Sequence, residues 1–263
     1  MDLGIKGKVA IVTGTGRQGA MGHTIAKTLA AEGANVACVD INFEGAKAIA
    51  KELTGMGVKA IAYNVDQSEH QQVVDGVAKI KADFGPPDIL VNNAALLRGG
   101  GRIQLTTVED WKTNLKINLD GPWHWIREVW DMMVEKKWGR IVNISSVAGV
   151  LGGFGQANYS AAKAGVIALA KTAALEGARV GITANTVTLG VVDTTKNLPP
   201  PKEGERRPQG GEMFERIKAK IAMREFGDPE DVANLVAYLV SVQAKYITGQ
   251  DIHVMGGLDL FTY

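Results

Sequence analysis

Short apolar runs alternate with stretches of three-to-four-residue periodicity along the whole chain. "KVAIVTG" (8–14) reads as a buried strand. In "AMGHTIAKTLAAEG" Met21, Ile25 and Leu29 then stand four apart, one face of a helix that Gly33 stops. "NVACVD" (35–40) predicts a second strand, "FEGAKAIAKELTGMG" a helix ending in glycines, and "VKAIAYNVD" (58–66) a third strand. "SEHQQVVDGVAKIKADFG" predicts a long helix, capped by Ser68 and closed by Gly85-Pro86-Pro87. "DILVNNAA" (88–95) and "GRIVNISS" (139–146) read as the fourth and fifth strands, on either side of a helical stretch at 107–137. The alanine-rich run 157–178 predicts a helix and "GITANTVT" (181–188) a sixth strand. "DPEDVANLVAYLVS" then starts a last helix, and "GQDIHVMGG" supplies a seventh strand.

This alternation predicts an α/β fold of the Rossmann type, doubly wound, with a mostly parallel seven-stranded sheet and helices on both faces. Apolar runs without strict period-two alternation suit strands covered on both sides. A ligand then belongs at the carboxyl ends of the strands. With no fixed repeat and no interdomain linker, residues 1–263 are expected to form a single domain. The one compositional break, 195–211, is polar and rich in Pro and Gly; it predicts a lid over the site at about 195–222.

Composition narrows the function. Charged residues are 22% and the net charge is +1, so neither nucleic acid nor an anionic membrane is an expected partner. The single cysteine, Cys38, rules out a disulfide within the chain and suits a cytoplasmic location. The N-terminus has no long apolar core of a signal peptide, and no run is long enough to span a membrane. The four histidines, His23, His70, His124 and His253, have no His or Cys partner at ligand spacing, so no metal site is expected.

The chemistry starts at "TGTGRQGAMG" (13–22). Glycines between a strand and a helix let the backbone approach a pyrophosphate, and the helix N-terminus offers free N–H groups. The fingerprint fits two frames, one closing at Gly19 and one at Gly22. Asp40 ends the second strand, where its carboxylate can accept ribose hydroxyls and repel a 2′-phosphate; no Lys or Arg follows at Ile41 or Asn42. Downstream, Tyr159 and Lys163 in "YSAAK" lie four apart on one helix face. A unit charge at ~4 Å and an effective dielectric of ~20 is worth roughly 4 kcal/mol. The lysine is therefore expected to depress the phenol pKa by about three pH units.

Taken together, "TG…G", "CVD", "NVD", "NNAA", "NLDG", "NISS", "YSAAK", "NTVTLG", "GDPEDVA" and "ITGQDIHVMGG" resemble the short-chain dehydrogenase/reductase family, in order and over essentially the whole chain. The resemblance favours the later glycine frame, Thr13-Gly14 to Gly22, with Gly16, Arg17 and Gly19 as extra loop on the adenosine side. It implies a nicotinamide dinucleotide, which Asp40 and the lack of a basic residue after it make NAD, held by Gly14, Gly16, Arg17, Met21, Gly22, Asp40 and Ile41. Val65 and Asp66 would meet adenine, and Asn92 and Ala94 would flank the adenosine ribose. Val192 and Thr194 would grip the carboxamide, with Leu189 standing where a proline is usual.

The resemblance further implies Tyr159 as the acid/base, Lys163 as its activator and ribose ligand, and Ser146 as the group that orients the substrate oxygen. Asn118 would kink its helix and help hold a water relay. Leu97, Phe154 and Gln156 are the expected substrate contacts. The helices of 107–137 and 157–178 imply a homo-oligomer, a tetramer, with packing as the role of most of the tryptophans. The tail after Gly257 is expected to dock at an intersubunit surface.

The expected activity is NAD-dependent interconversion of a secondary alcohol and a ketone on a small, hydrophobic or cyclic molecule. The alternative is a 3-hydroxyacyl thioester dehydrogenase or 3-oxoacyl reductase, with Lys202, Arg206 and Arg207 meeting carrier phosphates. A third reading is a dinucleotide sensor without chemistry; the intact Ser146, Tyr159 and Lys163 argue against it.

Overall fold

The computed structural model describes residues 2–97, 101–194 and 212–260. Seven strands form one sheet: β1 (Val9–Thr13), β2 (Asn35–Asp40), β3 (Ala60–Asn64), β4 (Ile89–Asn92), β5 (Gly139–Ser146), β6 (Ile182–Leu189) and β7 (Asp251–Val254). Their order is β3-β2-β1-β4-β5-β6-β7, and every neighbouring pair is parallel. The order reverses between β1 and β4. The loops after these two strands diverge there and leave a crevice at their carboxyl ends.

Alternate strand residues feed two apolar layers, which is why the runs look continuous in sequence. Ala10, Val12, Val36, Cys38, Ile89 and Val91 face helices α1 (Met21–Ala31), α2 (Phe43–Thr54) and α9 (Pro229–Leu239). Ile11, Ala37, Val39, Leu90 and Ile141 face α3 (His70–Phe84), α5 (Gly121–Lys136) and α7 (Ala157–Gly177). Trp125 of α5 is fully buried in the second layer, whereas Trp111 and Trp123 are partly exposed. Burial pushes the Cys38 thiol up to about 12, which makes it an inert core residue.

Several boundaries differ from the sequence expectation. Ser68 does not cap α3: the helix starts at His70, Glu69 stands in the cap position, and the Ser68 N–H donates to Asp66 instead. The fourth strand stops at Asn92, because the Asn93 amide turns back to the Thr13 and Gly14 carbonyls. The helical stretch 107–137 is interrupted around Asn118. α4 (Val108–Leu115) passes into a wide π turn (Lys116–Asp120) before α5 begins. Short α6 (Val147–Leu151) follows β5, and α8 (Glu212–Lys218) lies within the expected lid, whose 195–211 part is outside the described residues. No helix among the described residues is long and apolar enough to cross a membrane.

Candidate active site

The glycine loop is packed too tightly for side chains at both of its ends. Gly14 has φ +76°, and a Cβ there would lie 2.8 Å from Ala94 Cα; a Cβ on Gly22 would lie 2.1 Å from the Gly14 carbonyl oxygen. The close backbone approach therefore runs from Gly14 to Gly22, the later of the two frames. α1 starts from Ala20, which brings no capping side chain, and its first turn holds no acid. Its leading N–H groups are thus available to an anion at the cleft.

The middle of the loop is bolted to the end of β2. The Gly16 N–H donates to Asp40 Oδ2 at 2.6 Å, and Asn42 Nδ2 donates to the Gly16 carbonyl at 2.7 Å. The other Asp40 oxygen accepts the Asn42 N–H at 2.7 Å. Asp40 is therefore oriented before any ligand arrives, and Gly16 supports it from behind.

A cleft of about 380 Å³ opens at the switch point. Gly14, Arg17, Met21 and Gly22 line it from the glycine loop and α1, Asp40 and Ile41 from the end of β2, and Val65 and Asp66 from the end of β3. Ala94 and Thr194 of the expected set also line it, whereas Gly16, Asn92 and Val192 do not. A glycine cradle, an uncapped helix N-terminus and an oriented carboxylate on one cleft fit a dinucleotide.

Asn92 is not among the residues that line the cleft. It is 3% exposed, and its Nδ2 donates to Asn143 Oδ1 at 2.9 Å inside the sheet. Strand alternation sends its neighbour outward, so Asn93 reaches the cleft. Gln67 was also missed; it lines the cleft, and its Nε2 donates to the Ile117 and Ala94 carbonyls at 2.8 and 3.3 Å. Its one sequence signal is its place directly after "NVD". Val192 pairs with Gly227 in a short parallel bridge and is not among the cleft-lining residues.

Ser146 ends β5 and caps α6, accepting the Ala148 N–H at 3.2 Å. Its hydroxyl stands near enough to the Tyr159 hydroxyl to favour the ionised phenol. Lys163, one turn further along α7, is buried; its ammonium donates to the Ile144 carbonyl at 2.8 Å and lies 5.7 Å from the Tyr159 ring centroid. The structure thus brings the three groups together from β5 and α7.

The expected depression of the phenol is not found in the chain itself. Burial raises the Tyr159 pKa, and the Ser146 hydroxyl opposes that rise without overcoming it. Burial also pulls Lys163 down to about 8. The i,i+4 spacing sets the pair side by side but does not determine the desolvation, which acts against charge on both.

Asn118 sits fully buried in the wide turn. Its Oδ1 accepts the Leu96 N–H at 2.8 Å, and its Nδ2 donates to the Leu96 carbonyl and to Asn114 Oδ1, each at 2.7 Å. Its side chain therefore fixes the cleft wall at Leu96.

The expected substrate contacts lie outside the dinucleotide cleft. Leu97 is 66% and Phe154 92% exposed. Phe154 borders a separate shallow cavity of about 450 Å³ with Ile103, Gly153 and Ser160. Gln156 folds back over Gly153, where a Cβ would lie 2.1 Å from its Oε1. Lys202, Arg206, Arg207 and the tail residues 261–263 lie outside the described residues.

Residues 14–259 match the family described as enoyl-(acyl carrier protein) reductase. Among curated proteins, the 3-oxoacyl-(acyl-carrier-protein) reductase FabG of Staphylococcus epidermidis is 37% identical over 257 residues, 95% of this chain and 98% of that protein. The enzyme of the same name from Escherichia coli K12 is 38% identical over 257 residues, 97% of this chain and 99% of its own.

Proposed function

The chain belongs to the short-chain dehydrogenase/reductase family of oxidoreductases, and from that premise we propose that it interconverts a 3-oxoacyl thioester and a 3-hydroxyacyl thioester with NAD(H). The observation that carries this reading is end-to-end similarity to proteins named 3-oxoacyl-(acyl-carrier-protein) reductase, in a chain that keeps Ser146, Tyr159 and Lys163 together. It displaces the broader secondary alcohol or cyclic ketone as the preferred substrate. Exposed apolar residues near the catalytic helix, Leu151, Phe154 and Ile103, suit an extended acyl chain as well as a ring.

A nicotinamide dinucleotide, when bound, supplies or takes the hydride at the substrate carbon. The chain's own residues handle the oxygen. In reduction, the Ser146 hydroxyl donates a hydrogen bond to the substrate carbonyl. As that oxygen gains electron density, the Tyr159 phenol gives it a proton, leaving a hydroxyl on the substrate and a phenolate on the enzyme. The nearby Lys163 ammonium favours that phenolate as it forms. Oxidation runs the same proton back to Tyr159. Asp40 supports NAD over NADP, because a 2′-phosphate would place negative charge against a carboxylate already held in position.

Mixing the chain with an acetoacetyl thioester and NADH, and following loss of the reduced nicotinamide, tests the proposal. Turnover of the thioester at least ~10-fold better in kcat/KM than of cyclic ketones is the expected outcome. No thioester turnover with either NADH or NADPH refutes it.

A further inference from the structure

The stretch between Gly16 and Gly22 makes a second set of contacts that neither the glycine cradle nor the catalytic trio uses. The Gly19 N–H donates to Nδ1 of His23 at 2.9 Å. The opposite ring nitrogen, Nε2, lies 3.1 Å from Glu52 Oε2. Glu52 also accepts Gln18 Nε2 at 3.0 Å and pairs with Lys27 at 2.9 Å. The loop is thus held at two points: Gly16 by Asp40 and Asn42, and the Gln18–Gly19 end by Glu52 and His23. Arg17, between the two, lines the dinucleotide cleft.

The partners dictate the state of the ring. A main-chain N–H can only donate, so Nδ1 presents its lone pair; Nε2 then carries the hydrogen and donates to the carboxylate. One neutral tautomer satisfies both neighbours. A proton added at Nδ1 sets N–H against N–H and removes the Gly19 anchor.

We infer that His23 is a positioning residue for the cofactor loop: it holds segment 17–19, and with it Arg17, at the dinucleotide cleft, and its protonation releases that segment and weakens dinucleotide binding. The inference rests on the dinucleotide reading given above. The charged groups facing the ring are Glu52 from α2 and Lys27 from its own helix. Burial lowers the His23 pKa, Glu52 raises it and Lys27 lowers it; the net direction is down, so the ring is neutral at neutral pH and the release falls on the acid side. Burial opposes ionisation of Glu52, yet the hydrogen bonds from Gln18 and Lys27 and the nearby positive charges hold its carboxyl down to about 2, so it stays an anion throughout.

The test is NADH binding to the full chain by fluorescence titration from about pH 5 to 8, with His23→Ala and His23→Asn alongside. The unaltered chain should lose about fivefold or more in affinity as pH falls through the acid end. His23→Ala should bind about fivefold more weakly at neutral pH and show no acid step. His23→Asn keeps an acceptor near the Nδ1 position without titrating. It should recover neutral-pH affinity to within about twofold, again without the step. An acid step that persists undiminished in His23→Asn overturns the inference. So does His23→Ala with unchanged neutral-pH affinity. Circular dichroism checks that the alanine variant folds; if it does not, the asparagine variant alone decides. An unaltered chain that binds no dinucleotide at any pH removes the dinucleotide reading itself, a result distinct from either of these.

Discussion

Asn118 and Leu96 are joined by a two-way amide pair: the Asn118 Oδ1 accepts the Leu96 N–H at 2.8 Å while its Nδ2 donates to the Leu96 carbonyl at 2.7 Å. The wide turn at Lys116–Asp120 places this side chain against the chain leaving β4. Replacing it with Ala leaves the partly buried Leu96 N–H and carbonyl and the Asn114 amide oxygen without this partner. A stability loss of about 2–3 kcal/mol is expected in urea unfolding, together with weaker dinucleotide binding. A loss below ~0.5 kcal/mol counts against this role.

Lys163 trades stability for chemistry. Burial pulls its ammonium down to about 8, against about 10.4 in an unfolded chain. The unfolded chain therefore binds more protons between these values, and stability on this account rises with pH across that window. At neutral pH the buried charge is a cost, partly offset by the hydrogen bond to the Ile144 carbonyl. Lys163→Met should raise the unfolding free energy of the ligand-free chain by about 1–3 kcal/mol while abolishing turnover. An equally large loss of stability would show that the hydrogen bond outweighs the burial.

Tyr159→Phe removes only the hydroxyl to which the proposed mechanism gives the proton transfer. A fall in kcat of about 100-fold or more is expected, with NADH affinity within about twofold. Because burial holds the Tyr159 pKa up, the phenol is protonated at neutral pH. Reduction should therefore be nearly flat there, while oxidation climbs as pH rises. Initial rates in both directions against pH measure this; oxidation that falls with rising pH contradicts it.

Asp40→Ala removes the carboxylate that faces the cleft and also the acceptor of the Gly16 N–H. The ratio of kcat/KM for NAD over NADP should drop by about 10-fold or more, through both terms. A chain that uses NADP as well as NAD before mutation removes Asp40 as the discriminating residue.

Much of the site was legible because it is local. Strand-forming runs reveal the sheet, since apolar side chains on both faces need cover from both sides. The Tyr159–Lys163 spacing reveals a shared helix face, since a helix turns once in 3.6 residues. The glycines between β1 and α1 reveal a tight turn, since only backbone fits where Gly22 meets Gly14.

What the sequence alone determined, then, is the layer architecture and the place of the cleft at the switch point, which follow from periodicity; the roles of Ser146, Tyr159 and Lys163 are what the family resemblance implies. The tertiary structure alone decided that Asn93 rather than Asn92 faces the cleft, because the pairing of β4 with β5 sets Asn92 against Asn143 inside the sheet. It alone tied Gly16 to Asp40 and Gly19 to His23, contacts that depend on how β2 and α1 meet the loop. It also reversed the expected shift on Tyr159, because desolvation is set by everything packed around the phenol and not by the lysine four residues away.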